Sequence, residues 1–250
     1  MTPPGLTPIG GRHSVRLALK QGQAGLVELW IAAGDRERRL ADLAEQARQA
    51  GLPVRVMARE ELDRVSPGLQ HQGVLAWVRP VAPRDETDLE TRLEALSGPP
   101  FLLILDEVQD PHNLGACLRT AEAVGVQAVI APRDRAVGLT PVVLKVACGA
   151  TETLPYIQVA NLSRTMDRLK ARGIWLVGLT GDAGADLYDA DLTGPLALVM
   201  GNEGRGLRRL TRERCDLLVR LPMVGQVESL NVSVATGIGL YEAFRQRRPV

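Results

Sequence analysis

The first eighty residues place three apolar runs around one amphipathic stretch. Val27-Glu28-Leu29-Trp30-Ile31 and Val54-Arg55-Val56-Met57 read as strands, since β-branched and aromatic residues suit a pleated, partly buried surface. Between them, Asp35 to Ala50 sets Leu40, Leu43, Ala44 and Ala47 at helical spacing, and Gly51 and Pro53 end that helix. A third run, Gly73-Val74-Leu75-Ala76-Trp77-Val78, closes an α/β unit over residues 1–80, at the small end for an independent domain. Arg79 to Glu86, with two prolines, opens a linker over residues 81–100. It carries a short helix at Asp88 to Leu96 and ends at Gly98-Pro99-Pro100.

From Phe101 the pattern changes. Phe101–Leu105, Ala128–Ala131, Leu154–Val159, Trp175–Leu179, Leu196–Met200 and Leu217–Leu221 read as buried strands, and helices are expected near 113–124, 140–149, 162–172, 206–215 and 229–246. Short continuous apolar runs alternating with helices predict a mostly parallel sheet covered on both faces, so residues 101–250 form a second α/β domain.

Ligands of open α/β sheets bind beyond the carboxyl ends of the strands, and three loops there stand out. After Leu105 the chain reads Asp106-Glu107-Val108-Gln109-Asp110-Pro111-His112-Asn113-Leu114-Gly115-Ala116-Cys117-Leu118-Arg119-Thr120-Ala121. Asn113 suits a helix N-cap, and Gly115 allows close backbone approach in the first turn. Arg119 falls in an otherwise apolar helix, where burial would require an anion: a bound one, or the carboxylate of Asp106 or Glu122. His112, beside Pro111 in a turn, reads as loop-shaping before it reads as a base.

The second loop, Gly201-Asn202-Glu203-Gly204-Arg205-Gly206-Leu207, has three glycines in six residues and so exposes backbone groups to a ligand. Its spacing is not G-x-G-x-x-G, and no acidic residue lies in a second strand about twenty positions on. This argues against a nicotinamide enzyme and against an ordinary Rossmann methyltransferase. The third loop leaves Leu221-Pro222-Met223 and brings Ser229, Asn231 and Ser233 into the start of the last helix. For Ser229 taken alone, helix capping is the simpler role.

Composition narrows the field further. Across 250 residues the hydrophobic content of 45% is ordinary for a globular chain. No run approaches the roughly 18–20 apolar residues of a bilayer span, and Met1-Thr2-Pro3-Pro4-Gly5 lacks the blocks of a signal peptide. A cytoplasmic protein without a membrane partner is expected. The net charge of +1 does not by itself point to nucleic acid. The basic residues are nearly all arginine, with only Lys20, Lys145 and Lys170 as lysines; this suits phosphate contacts, and genomic base composition produces it too. Cys117, Cys148 and Cys215 lie far apart, with no C-x-x-C and no neighbouring histidine. They are expected to be small buried residues, not disulfides or metal ligands.

Together, in this order and at these strand ends, the three loops resemble the three motifs of the SpoU branch of the SPOUT methyltransferases, over about Leu103 to Arg247. The front is similar to that family's L30e-like RNA-binding domain through Gly11-Arg12-His13-Ser14-Val15 and His71-Gln72-Gly73-Val74, with His13 where the family usually has asparagine. The resemblance implies a deep trefoil knot in the second domain and a homodimer formed through it. S-adenosylmethionine would be the methyl donor, with no metal. The acceptor would be a ribose 2′-hydroxyl of RNA, and the chain is most similar to members that methylate a guanosine in the P loop of 23S rRNA.

By the same resemblance, Arg119, Asn113, Glu203, Ser229 and Asn231 carry catalysis. Thr180, Gly181, Met200, Gly201, Leu221, Met223, Ser229, Leu230 and Asn231 hold the cofactor, and Arg12, His13 and Arg119 contact RNA. Two alternatives stay open: methylation of a tRNA ribose, and a non-catalytic RNA-binding factor in ribosome assembly.

Overall fold

Strands buried along both faces require covering layers on both sides, and that requirement shapes most of this chain. The computed structural model describes residues 2–20, 25–34, 40–79, 83–202, 204–227 and 229–248. Its contacts form two units, Met1–Ala82 with Leu139–Glu152, and Pro83–Gly138 with Thr153–Val250.

The first unit runs β1 (Thr7–Gly10), α1 (Arg12–Lys20), β2 (Leu26–Ala32), α2 (Ala41–Gln49), β3 (Val54–Met57), α3 (Arg59–Val65) and β4 (Val74–Val78). Its sheet has the order β1-β4-β2-β3, with β4 antiparallel to β1 and β2, and β2 parallel to β3. Alternate residues of β2 and β4 face opposite sides. Leu29, Ile31, Val74 and Ala76 pack with Leu40, Leu43 and Ala47, whereas Trp30, Leu75 and Trp77 pack with Leu62. This two-sided burial explains why the sequence shows continuous apolar runs there. Of the helix expected over Asp35 to Ala50, residues 35–39 lie outside the described residues, and α2 covers Ala41–Gln49.

The second unit begins with α4 (Glu86–Ala95), held by an Asp85 and Asp88 capping box. It continues through β5 (Phe101–Leu105), α5 (Pro111–Ala123) and β6 (Ala128–Pro132). The helix expected near 140–149 lies in the stretch Leu139–Glu152 that belongs to the first unit, and it is two short ones, α6 (Pro141–Ala147) and α7 (Ala150–Thr153), the last residue of which returns to the second unit. Cys148 takes φ +51° and Gly149 φ +90°, and left-handed backbone ends a helix. Then come β7 (Tyr156–Val159), α8 (Leu162–Ala171), β8 (Trp175–Leu179), β9 (Ala185–Asp186), β10 (Leu196–Met200), α9 (Arg209–Arg214), β11 (Leu217–Arg220) and α10 (Val232–Arg247). The sheet order is β7-β6-β5-β10-β8-β11-β9 and every pairing is parallel. Leu102, Ile104, Ile130, Ile157, Leu176 and Val199 form one face of its core with Met166 and Leu169 of α8.

Only one cysteine matches the expectation of burial. Cys117 is buried, but Cys148 ends α6 and Cys215 follows α9, and both are half-buried. Helix ends lie nearer the surface than strand interiors. Burial, reinforced by the charge of Asp216, pushes the Cys215 thiol up to about 12, so it is not a nucleophile at neutral pH.

Arg247 ties the end of α10 to the strand starts. Its guanidinium donates to the carbonyls of Leu192 (3.1 Å), Gly194 (2.6 Å), Pro99 (3.0 Å) and Pro100 (3.1 Å) and stacks 4.7 Å from the Phe101 ring centroid. Arg247→Ala removes these bonds together and is expected to cost about 2 kcal/mol, read as a lower midpoint in equilibrium urea unfolding. An unchanged midpoint contradicts this account.

Candidate functional site

Strands β10, β8 and β11 are neighbours in the sheet, so their carboxyl ends open side by side. The loops beyond them line a cleft of about 150 Å³ that is open to solvent. The end of β8 supplies Thr180 and Gly181, that of β10 Met200 and Gly201, and that of β11 Leu221 and Met223; Ser229 and Leu230 complete that group. All eight are expected cofactor positions. Asn202 and Gly206 of the glycine loop also line the cleft, as do Leu179, Val232 and Ala235, which were not read from the sequence. The aliphatic members of this set look like strand or helix core, and position in the chain is their only signal.

The floor of the cleft is backbone. Asn202 N–H donates to the Gly206 carbonyl at 3.0 Å and Gly206 N–H returns the bond to Asn202 at 2.8 Å, while the Asn202 side chain accepts from Gly204 N–H at 2.9 Å. Gly206 has φ +64°. A Cβ at Gly201 would lie 2.2 Å from the Gly206 carbonyl carbon and 2.4 Å from both its oxygen and the Leu207 nitrogen. Glycine at 201 is therefore required by contact with main chain that has nowhere to go. The same turn delays α9, which starts at Arg209 and not near 206.

One wall is fixed by charge. Thr180 donates to Asp182 at 2.6 Å, and Arg212 donates to both Asp182 oxygens at 2.9 and 2.8 Å. These bonds, Thr180 first, hold the Asp182 carboxyl below the usual carboxylate range.

On the other side, α5 and α10 pack directly. Cys117 Sγ lies 3.6 Å from Thr236 Oγ1, and a Cβ on Gly237 would come 3.8 Å from Thr120 Cγ2. Gly239 faces Leu198 of β10, so the small residues of α10 serve packing within this unit. Asn231 is the N-cap of α10, accepting from Ser233 N–H (2.9 Å), Val234 N–H (3.4 Å) and the Ser233 hydroxyl (2.6 Å). Its amide donates to Asn113 Oδ1 at 3.0 Å. The structure thus joins two expected site residues 118 positions apart.

Several expected roles change. Asn113 is not an N-cap. Asp110 caps α5, accepting from Asn113 N–H at 2.8 Å, because Pro111 fits the first helical position with its fixed φ and missing N–H. His112 accordingly lies in the first helical turn, not in a loop. Ser229 does not cap α10, which begins three residues later. Arg119 is on the exposed side of α5, so no burial cost arises. Asp106 is instead taken by Arg208, and Glu122 accepts from Thr153. Glu203 lies outside the described residues. In the first unit, Arg12 and His13 are exposed at the start of α1, and Arg12 N–H donates to Gln72 Oε1 at 3.2 Å. Among the described residues, no group of three or more His, Cys, Asp or Glu could hold a metal ion.

A cleft at the carboxyl edge of a parallel sheet, with aliphatic walls and a backbone floor, defines an α/β protein that binds a small organic ligand through shape and main-chain polarity. The family is settled by comparison. The model of the SpoU rRNA methylase family matches residues 100–241, and that for RNA 2′-O ribose methyltransferase substrate binding matches residues 8–84. This chain belongs to the SpoU rRNA methylase family.

It is similar to a protein of Shewanella oneidensis named 23S rRNA (guanosine-2′-O-)-methyltransferase RlmB, 55% identical over 96% of this chain and 97% of the relative. A protein of the same name from Pseudomonas putida is 51% identical over 97% and 98%. Among solved structures, the SpoU methyltransferase AviRb of Streptomyces viridochromogenes in complex with AdoMet has a TM-score of 0.73 at 27% identity. That match covers 97% of this chain and 91% of the other.

Gly201→Ala is expected to destabilise the protein by about 2–3 kcal/mol, the cost of forcing a methyl group into packed main chain. Gly204→Ala, whose added carbon meets nothing nearer than Asn202 Oδ1 at 3.8 Å, should stay within about 1 kcal/mol of the parent. Urea midpoints of the pair check the contrast, and equal values would refute the close contact as the cause.

Proposed function

We propose that this protein transfers a methyl group from S-adenosylmethionine to the ribose 2′-hydroxyl of a guanosine in 23S rRNA. What carries the reading is identity above 50% across almost the whole chain to two proteins of that printed name. The cleft supports it. Aliphatic side chains of Leu179, Met200, Leu221 and Leu230 suit a purine ring, and the main chain of Gly201, Asn202 and Gly206 lines the cleft where its polar edges would bond. A Cβ on Gly201 would break up that floor.

When bound, the donor would supply an electrophilic methyl on a sulfonium sulfur: the C–O bond would form as the C–S bond breaks, the neutral thioether would leave, and the hydroxyl proton would pass to solvent. The protein's task is to hold the acceptor oxygen in line behind the methyl and to favour proton loss. Guanidinium stays protonated at neutral pH, so Arg119 acts as a fork and a fixed charge, not as a neutral base. It bonds the phosphate next to the target ribose and stabilises the developing alkoxide. Asn113 and Asn231, locked to each other, shape the acceptor side and fix the start of α10.

In the same reading residues 1–80 form an L30e-like RNA-binding domain presenting Arg12 and His13, 81–100 link it, and 101–250 form a knotted catalytic domain in a cytoplasmic protein. A homodimer through the second domain belongs to it as well. Its support is an apolar strip on α10, where Val234 and Tyr241, seven residues apart, are 50% and 53% exposed.

The decisive experiment incubates the protein with radiolabelled S-adenosylmethionine and either 23S rRNA or tRNA and maps the label. One 2′-O-methylguanosine in 23S rRNA is expected, in the P loop. Label on a base, on tRNA alone, or nowhere would overturn the proposal. In the same assay Arg119→Lys keeps a positive charge but loses the planar fork and should lower kcat by about 100-fold. Turnover near that of the parent would refute bidentate orientation.

A further inference from the structure

Beside the cleft lies an ion-pair cluster that the mechanism above does not use. Arg208 follows the glycine turn directly, and its Nε donates to Asp106 Oδ1 at 2.7 Å while its backbone N–H donates to Asp106 Oδ2 at 3.1 Å. A terminal nitrogen of the same guanidinium lies 3.2 Å from Glu107 Oε1. The Asp106 side chain is 0% exposed. Asp106 N–H extends the ladder between β5 and β10 by donating to the Met200 carbonyl at 2.7 Å. Glu107 sits at φ +64°, and its carbonyl accepts from the Asn202 side chain at 3.0 Å.

These bonds close a ring. Its one side is the Asn202 to Gly206 turn that floors the cleft, and its other side is the start of the loop that leads through Asp110 into α5. Arg208 is the corner common to both. Burying one carboxylate fully while its arginine stays 38% exposed contributes little net stability compared with apolar packing, and a non-glycine residue in left-handed backbone is strained. Both features are accounted for if the cluster exists to set geometry.

We infer that Arg208 is a positioning residue for the methyl donor: through Asp106 and Glu107 it holds the Gly201 to Gly206 floor in the one placement that accepts the adenosyl group. The inference rests on the proposed function in taking the cleft as the S-adenosylmethionine site.

Calorimetric titration of S-adenosylmethionine into the full chain tests it, with folding of each variant checked by circular dichroism and thermal melting. Arg208→Lys keeps the charge but cannot span both carboxylates, and should raise the cofactor Kd and KM about tenfold, with kcat at saturating donor within about threefold of the parent. Arg208→Gln should raise Kd further, towards about 100-fold, the size expected when a hydrogen bond between charged groups is lost. A purely structural role predicts a lower melting temperature with an unchanged Kd for the folded protein, and that result overturns the inference. Should both Arg208 variants fail to fold, Glu107→Gln, which leaves the Asp106 pair in place, decides: a Kd raised several-fold supports the role and an unchanged Kd overturns it. A parent protein that does not bind the donor overturns the proposed function itself, which separates the two failures.

Discussion

The contact on which the site depends is the approach of the Gly201 main chain to that of Gly206 and Leu207, at distances that leave no room for a side-chain carbon. Parallel strands end with carbonyl and amide groups that must be paired or handed to a ligand. Here the chain leaves β10 and turns at once. It pairs Asn202 with Gly206 in both directions and so lays a hydrogen-bonding floor beside the ends of β8 and β11. Loosening that turn moves the floor, the start of α9 and the anchor of Arg208 together.

The second constraint is the pairing of the first and last helices of the site. α5 begins where β5 ends, and α10 follows the loop after β11, so the two come from strands separated in the sheet by β10 and β8. Cys117, Thr120, Thr236 and Gly237 are small enough for the helices to meet closely, and the Asn113 to Asn231 bond closes the contact at their amino ends. Both asparagines are thereby set on rigid helix starts, which hold side chains more accurately than loops do. The exposed position of Arg119 agrees with a group that must reach a polyanion arriving from solvent.

Much of this was legible in the chain. Strands β5, β6, β8 and β10 are apolar runs of four or more residues, β7 is interrupted by Gln158 and β11 ends on Arg220, and two residues such as Ala185–Asp186 carry no period to detect. The eight cleft positions were named through the family resemblance; the loops after β10 and β11 carry motifs of their own, whereas Thr180 and Gly181 after β8 carry none. Helix starts were harder. Asn113 and Ser229 are both good capping residues, yet Asp110 and Asn231 hold those places, since the choice between neighbouring polar residues is made by backbone direction and not by residue type. In the first unit β1, α1 and α3 were missed, since Thr7–Gly10 is four residues with a glycine and the two helices are only nine and seven residues long.

The cluster around Asp106 lay deepest below the sequence, for a reason that generalises. Asp106 reads there as one more acidic residue after a strand and Arg208 as one arginine in a basic stretch, 102 positions apart. Nothing in residue type or spacing joins them, because their meeting is set by β5 and β10 being neighbours in the sheet. Pairing of parallel strands brings the residue after one strand to the residue after the other, so an acid behind β5 and a base behind the β10 turn must face each other or repel something else. A buried carboxylate in that position excludes any arrangement of the turn that leaves it without its partner. The sheet thus chooses the partners, and the partners hold the turn on which the cleft is built.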